Sequence, residues 1–144
     1  LAKRIIKEGH TIANHTISHK DINFFNNNVN YQMERCSKII EDVVGVKPKY
    51  FRPPHGQIGL KTEKFMSKNN LINVMWSLLT YDYKNDFNIV KFAVDKYLMN
   101  NSIIVLHDSL KSKEIIGKSI DYIVEKSKQN GFEIGEPSAK SSIA

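Results

Sequence analysis

Helix-like and strand-like stretches alternate along the whole chain, and no other feature limits the possible folds as much. Leu1 to Glu8 sets Leu1, Ile5 and Ile6 among cations and stops at Gly9, the pattern of a helix end closed by glycine. Val29 to Val44 repeats apolar residues at Met33, Cys36, Ile39, Ile40 and Val43 and stops at Gly45. Leu60 to Lys68, Asn88 to Met99 and Lys113 to Asn130 read as three further helices. Between these helices and after the last lie short strand candidates: His10 to Asn14, Lys49 to Arg52, Leu71 to Ser77, Ser102 to Leu106 and Phe132 to Ile134. Such alternation implies parallel βαβ units, and Ile103 to Leu106 is apolar on both faces, as a covered parallel sheet requires. The expectation is one α/β domain over residues 1–135, with the Ser-, Ala- and Lys-rich residues 136–144 as a disordered tail.

Length and composition agree with this. A chain of 144 residues holds one core, and 41% hydrophobic with 25% charged residues is ordinary for a globular protein. No run approaches the ~18 apolar residues of a membrane span. The net charge of +6 raises the question of a nucleic-acid partner. The lysines are scattered, with no basic stripe interleaved with aromatics, and this argues against one. The single cysteine, Cys36, allows neither an internal disulfide nor a thiolate zinc site, and its helical spacing predicts a buried core thiol. Leu1 to Gly9 does not resemble a signal peptide, but the chain does not begin with Met, so the compartment stays open.

In α/β folds the polar residues just past the C-terminal ends of strands tend to form the site. Here those positions hold His15 and His19, the run Arg52-Pro53-Pro54-His55-Gly56, Asp82, and His107 with Asp108. Four of the five histidines fall there. His15 to Asn28 is polar and Asn-rich and reads as a loop. On a helical turn, His15 and His19 at i, i+4 would point the same way and could share a metal ion; taken alone they are more readily a pair of surface or loop histidines. The Pro-Pro turn can aim a backbone N–H at a developing oxyanion, and Arg52 can hold a carboxylate; a plain structural turn reads equally well. His107, followed by Asp108, suits a general acid with a carboxylate partner, for which Asp82 is the candidate, or else a strand-end cap. Trp76, Tyr81 and Tyr83 suit either a wall for sugar rings or core packing.

In order and spacing these residues resemble the polysaccharide deacetylases with the NodB homology domain, family 4 of the carbohydrate esterases. His15-Thr16-Ile17-Ser18-His19 matches the family's H-[ST]-x-x-H motif, and Arg52 to Gly56 its Arg-Pro-Pro-x-Gly turn. Asp82-Tyr83, with Trp76 upstream, matches the motif ending Asp-Trp, and Val105-Leu106-His107 the aliphatic-x-His motif. The resemblance implies a distorted (β/α) barrel with fewer than eight strands. It also implies a metal, usually zinc, bound by two histidines (His15 and His19) and an aspartate. Arg52 would orient the catalytic base and the backbone N–H of His55 would complete the oxyanion site. His107, tuned by Asp82, would protonate the leaving group. Val105 and Trp76 would wall the acetyl pocket, with Tyr83 where the family has Trp. The implied substrate is an N- or O-acetylated polysaccharide, with a GlcNAc polymer such as peptidoglycan or a chitin-like glycan favoured over acetylated xylan. The implied place of action is the envelope or the extracellular space.

The chain departs from the pattern in places. The family's Thr-Phe-Asp-Asp motif, source of the base and the aspartate ligand, is not in the chain, and the expectation is that it lies upstream of Leu1. On that expectation the chain alone is inactive. Leu79 stands for the first aspartate of the fourth motif and Val105 for the Leu of the fifth. Asp21 is a weaker candidate for the missing ligand. Two other functions stay open: hydrolysis of formamides or other non-peptide amides on the same fold, and sugar binding without turnover.

Overall fold

A computed structural model describes residues 1–19 and 28–137, so Asp21 and residues 138–144 of the expected tail lie outside the described residues. The chain divides into two compact units, Leu1–Met75 and Trp76–Ala144. Each contains a parallel β-α-β arrangement with its own core.

In the first unit, α1 (Ala2–Lys7) and α2 (Val29–Val44) precede β1 (Tyr50–Phe51), α3 (Leu60–Lys68) and β2 (Ile72–Asn73). β1 and β2 pair in parallel, Tyr50 with Ile72 and Phe51 with Asn73, and Asn14 extends the pairing through a parallel bridge to Phe51. The expected strand at His10 to Asn14 is thus reduced to one bridging residue. Val29 and Met33 of α2 pack with Phe51, Met66 and Leu71. Residues of this kind contribute about 1.5–3 kcal/mol each when fully buried. α2 ends as its sequence predicts, with Gly45 at φ 79, a left-handed conformation that glycine adopts without a Cβ clash. Its apolar stripe is used only in the first half: Ile39 and Val43 are both 43% exposed. Cys36 is therefore half-buried and not the expected core thiol, although burial still pushes its pKa up.

In the second unit, β3 (Leu78–Leu79), α4 (Phe87–Tyr97), β4 (Ile104–Val105) and α5 (Ile116–Gln129) follow in order. β3 and β4 pair in parallel, Leu78 with Ile104 and Leu79 with Val105. Asp86 caps α4 by accepting the Asn88 N–H at 2.8 Å. Val90 and Val94 of α4 pack against Ile115 and Ile123. Two expectations are corrected here. The strand predicted over Leu71 to Ser77 is shorter: only Ile72–Asn73 form β2, and the next pairing segment, β3, begins beyond the predicted span at Leu78. Phe132 to Ile134 forms no strand; the Phe132 N–H instead donates to the Ser127 carbonyl at 2.8 Å and closes the end of α5 behind Gly131 at φ 72. Among the described residues no helix is long and apolar enough to cross a membrane.

Candidate active site

The first unit presents three histidines side by side. Asn14 supplies the foundation. It is fully buried, its amide donates to the Met33 carbonyl and the Ser37 hydroxyl at 2.7 Å each, and its side-chain oxygen accepts the Thr16 N–H at 2.9 Å. The loop beginning at His15 is thereby fixed to α2. The turn that follows is not helical, which fits a loop and not the helical turn that would point both rings the same way: Thr16 and His19 have φ of 66° and 51°. The His19 N–H donates to Thr16 Oγ1 at 3.2 Å, and Gln32 Oε1 accepts from Ser18 at both N and Oγ. This left-handed turn brings the His15 and His19 rings to 4.8 Å in an edge-to-face contact, which the i, i+4 spacing alone does not explain.

His15 Nδ1 lies 2.6 Å from the Arg52 carbonyl. A carbonyl only accepts, so Nδ1 carries the proton and Nε2 is the acceptor nitrogen of the neutral ring, the tautomer a metal ligand needs. The Pro53-Pro54 turn sets His55 at φ 55, and its ring reaches 4.9 Å from that of His19. A non-glycine residue held there stores roughly 1–3 kcal/mol of strain, which is common at functional turns. Arg52 is partly buried, and desolvation lowers its pKa from the ordinary value. Its Nε donates to the Val74 carbonyl at 2.9 Å and Nη2 approaches the Met75 carbonyl at 3.4 Å. It ties down the end of β2, and among the described residues it has no carboxylate partner.

As a metal centre the histidines are a partial fit. Catalytic zinc takes three protein ligands. His15 and His19 offer two, and among the described residues no group of three His, Cys, Asp or Glu side chains is in position to hold an ion.

The second unit holds a tighter arrangement. Asp82 is wholly buried in a short turn after β3. Its Oδ2 accepts the His107 backbone N–H at 2.6 Å and its Oδ1 lies 2.8 Å from His107 Nδ1. One carboxylate therefore holds His107 by backbone and ring together. Thr80, also fully buried, places its hydroxyl 3.1 Å from Asp82 Oδ1 and 2.8 Å from the Val105 carbonyl. The Ser112 hydroxyl donates to the His107 carbonyl and pins the loop after β4. The His107 side chain is 39% exposed although its ring is held at Nδ1. Asp82, the carboxylate named from sequence, is the partner, and Asp108 is exposed. Tyr83 stands edge-on to His107 at 5.2 Å. Val105 is buried in β4, whereas Trp76 lines a cleft beside α4 that Val105 does not line.

Sequence reading gave no role to Asn14 and did not single out Thr80. Each is a polar residue at a strand end next to a motif, a signal too weak to name a role.

The family profile described as polysaccharide deacetylase matches residues 1–74, just over half of the chain. The chain belongs to the polysaccharide deacetylase family. A peptidoglycan-N-acetylglucosamine deacetylase of Bacillus cereus is 29% identical over 137 residues, covering 91% of this chain and 49% of that protein. The solved family 4 carbohydrate esterase of Streptomyces lividans, in complex with acetate, matches with a TM-score of 0.84 at 23% identity, over 98% of this chain and 72% of its own. A Bacillus anthracis protein described as a family 4 pseudoenzyme matches at 0.82 and 21% identity, over 93% of this chain and 47% of its own. The α/β fold is therefore the NodB type expected from sequence. The chain spans about half the length of the curated relatives it matches.

Proposed function

We propose that this chain provides the second to fifth motifs of a metal-dependent hydrolase that removes acetyl groups from a polysaccharide, with a polymer of N-acetylglucosamine favoured. The observation that carries this reading is the grip of buried Asp82 on His107, which fixes the part-exposed ring at Nδ1 and leaves Nε2 as its other nitrogen. A histidine so held is built to move a proton at Nε2 and not to complete a core. Family membership and the similarity to a peptidoglycan deacetylase support the substrate class.

The roles follow from these atoms. Water adds to the acetyl carbonyl, the C–N bond of the amide breaks, and the products are acetate and an amine. Protonated His107 gives its Nε2 proton to the leaving nitrogen, while Asp82 stabilises the imidazolium and keeps the ring aligned. The His55 backbone N–H, in its left-handed turn, is a donor suited to the carbonyl oxygen as it gains charge. His15 and His19 would be two ligands of a divalent metal, zinc first. When bound, that metal supplies polarisation of the acetyl carbonyl and acidification of water. The third ligand and the base are not among the described residues, and the chain by itself is expected to be inactive.

The test is acetate release from N-acetylglucosamine oligomers by the product of the whole reading frame that contains this chain. His107→Ala should lower kcat about 10²- to 10⁴-fold, the usual share of a general acid. Equal release by the variant would sink the assignment. Preference for formyl or cyclic-amide substrates over acetyl ones would instead favour the related amide-hydrolase reading.

A further inference from the structure

The second unit has a cleft that none of these roles uses. It encloses about 540 Å³ and is walled by Trp76, Tyr81, Phe92 and Tyr97, with Leu79 and Lys84 also lining it. That volume is within the roughly 300–1,000 Å³ of small-molecule sites. α4 explains why it is there. Val90, Ala93 and Val94 are 0, 3 and 1% exposed and satisfy the unit's core, yet Phe92 and Tyr97 on the same helix are 60 and 49% exposed. A helix that is apolar on a second, solvent-facing side has more hydrophobic surface than its own fold requires.

The chemistry of the lining selects the occupant. The walls include four aromatic rings. Two tyrosine hydroxyls and Ser77 add polar edges, and the Lys84 ammonium stands over Tyr81 at 5.3 Å. Lys96 lies over both Phe92 and Tyr97 at 5.2 Å. A pyranose ring has the matching character, an apolar C–H face rimmed by hydroxyl and acetamido groups. The cleft also connects with the catalytic histidine. Tyr81, held outward at φ 56, lies 6.0 Å from Tyr83, and Tyr83 lies 5.2 Å from His107. A line of rings thus leads from the proton donor to the cleft within one unit.

We propose that the Trp76–Phe92–Tyr97 cleft is a glycan subsite that binds a sugar ring of the polymer away from the acetyl group being removed. This rests on the deacetylase reading for the identity of the polymer. The test uses a convenient reporter: Trp76 is the chain's only tryptophan, so its fluorescence reads the cleft directly. Titration of the full chain with an N-acetylglucosamine tetramer should give a saturable change in Trp76 emission. Phe92→Ala and Tyr97→Ala, both at exposed positions, should weaken binding roughly three- to tenfold, the scale of one lost aromatic contact. Tyr97→Phe, which keeps the ring, should stay within about twofold. In the whole gene product the two alanine variants should raise KM for polymer and leave kcat on a single N-acetylated sugar unchanged.

No emission change at millimolar tetramer, or equal affinity in all variants, would overturn the proposal. So would an emission shift that follows protein concentration without sugar, which would make a second copy the occupant. The two readings fail separately. Acetate release with a silent Trp76 removes only the cleft, and tetramer binding without acetate release removes only the deacetylase.

Discussion

The two units hold their histidines by opposite means. In the first, His15, His19 and His55 sit on exposed turns whose backbone is left-handed at Thr16, His19 and His55. Their rings touch one another, and support comes from below, through Asn14 and the Arg52 carbonyl. In the second, His107 follows a regular strand and is clamped by a carboxylate with no solvent exposure. The first arrangement resembles a ligand cluster, exposed and adjustable, with the acceptor nitrogen of His15 set by its backbone contact. The second resembles a proton-transfer dyad, where the angle of one ring must not drift. On the proposed roles, exposure would separate the two tasks: donors for an ion stay accessible, while the group that aligns an acid is buried.

The largest expected break in this contrast comes from Asp82. Asp82→Ala removes the acceptor for both the His107 N–H and its ring, and leaves a partly buried N–H without a partner. Denaturant unfolding should show a loss of about 1–3 kcal/mol, and acetate release by the whole gene product should fall with it. Asn14→Ala should cost a similar or slightly smaller amount, since its side chain is buried and its three hydrogen bonds are buried or partly buried, and should weaken metal binding by freeing the His15 loop. His15→Ala and His19→Ala sharpen the comparison from the other side. Both are exposed, so each should change stability by no more than ~0.5 kcal/mol while lowering zinc affinity at least tenfold in a calorimetric titration. A stability loss as large as that of Asp82→Ala would make them structural residues. His55→Gly should be slightly stabilising, by up to ~1 kcal/mol, because glycine relieves the left-handed strain.

The smallest effect lies away from both sites. Tyr122 donates to Asp95 at 2.5 Å, and partial burial with that bond pushes the Tyr122 pKa up to about 12. A raised folded value means the contribution is complete below the unfolded pKa of about 10 and is lost as pH rises toward 12. The same bond, first among its causes, lowers the pKa of Asp95. That contribution is present above the unfolded value and is lost as pH falls through the lower folded one. Tyr122→Phe should flatten both ends of the pH–stability profile and leave acetate release untouched.

Much of this was legible in the sequence, for definite reasons. The end of α2 was readable because Gly45 marks a left-handed residue that other side chains avoid. The ends of β1 and β4 were readable because Tyr50-Phe51 and Ile104-Val105 are apolar runs cut off by proline or polar residues. The site histidines were found because strand ends in α/β folds collect them. The shortening of Leu71 to Ser77 to the two residues of β2 was hidden, and so was β3 at Leu78–Leu79, because periodicity does not say with which neighbour each residue pairs. The left-handed turn at Thr16 to His19 was hidden because H-x-x-x-H fits a helix equally well. Asn14 and Thr80 were hidden because a buried polar residue looks in sequence like any exposed one, and only its tertiary partners tell the two apart. The half-burial of Cys36 has the same origin: the apolar period of α2 is real, but the packing partner ends before the stripe does.

The most direct test of the central claim is acetate release from an N-acetylglucosamine oligomer by the whole gene product, stripped of metal and then given zinc. The account predicts release that is abolished by chelation and restored by zinc, with no restoration in a His15→Ala, His19→Ala double variant. Release that is indifferent to chelation, or equal in that double variant, would contradict it.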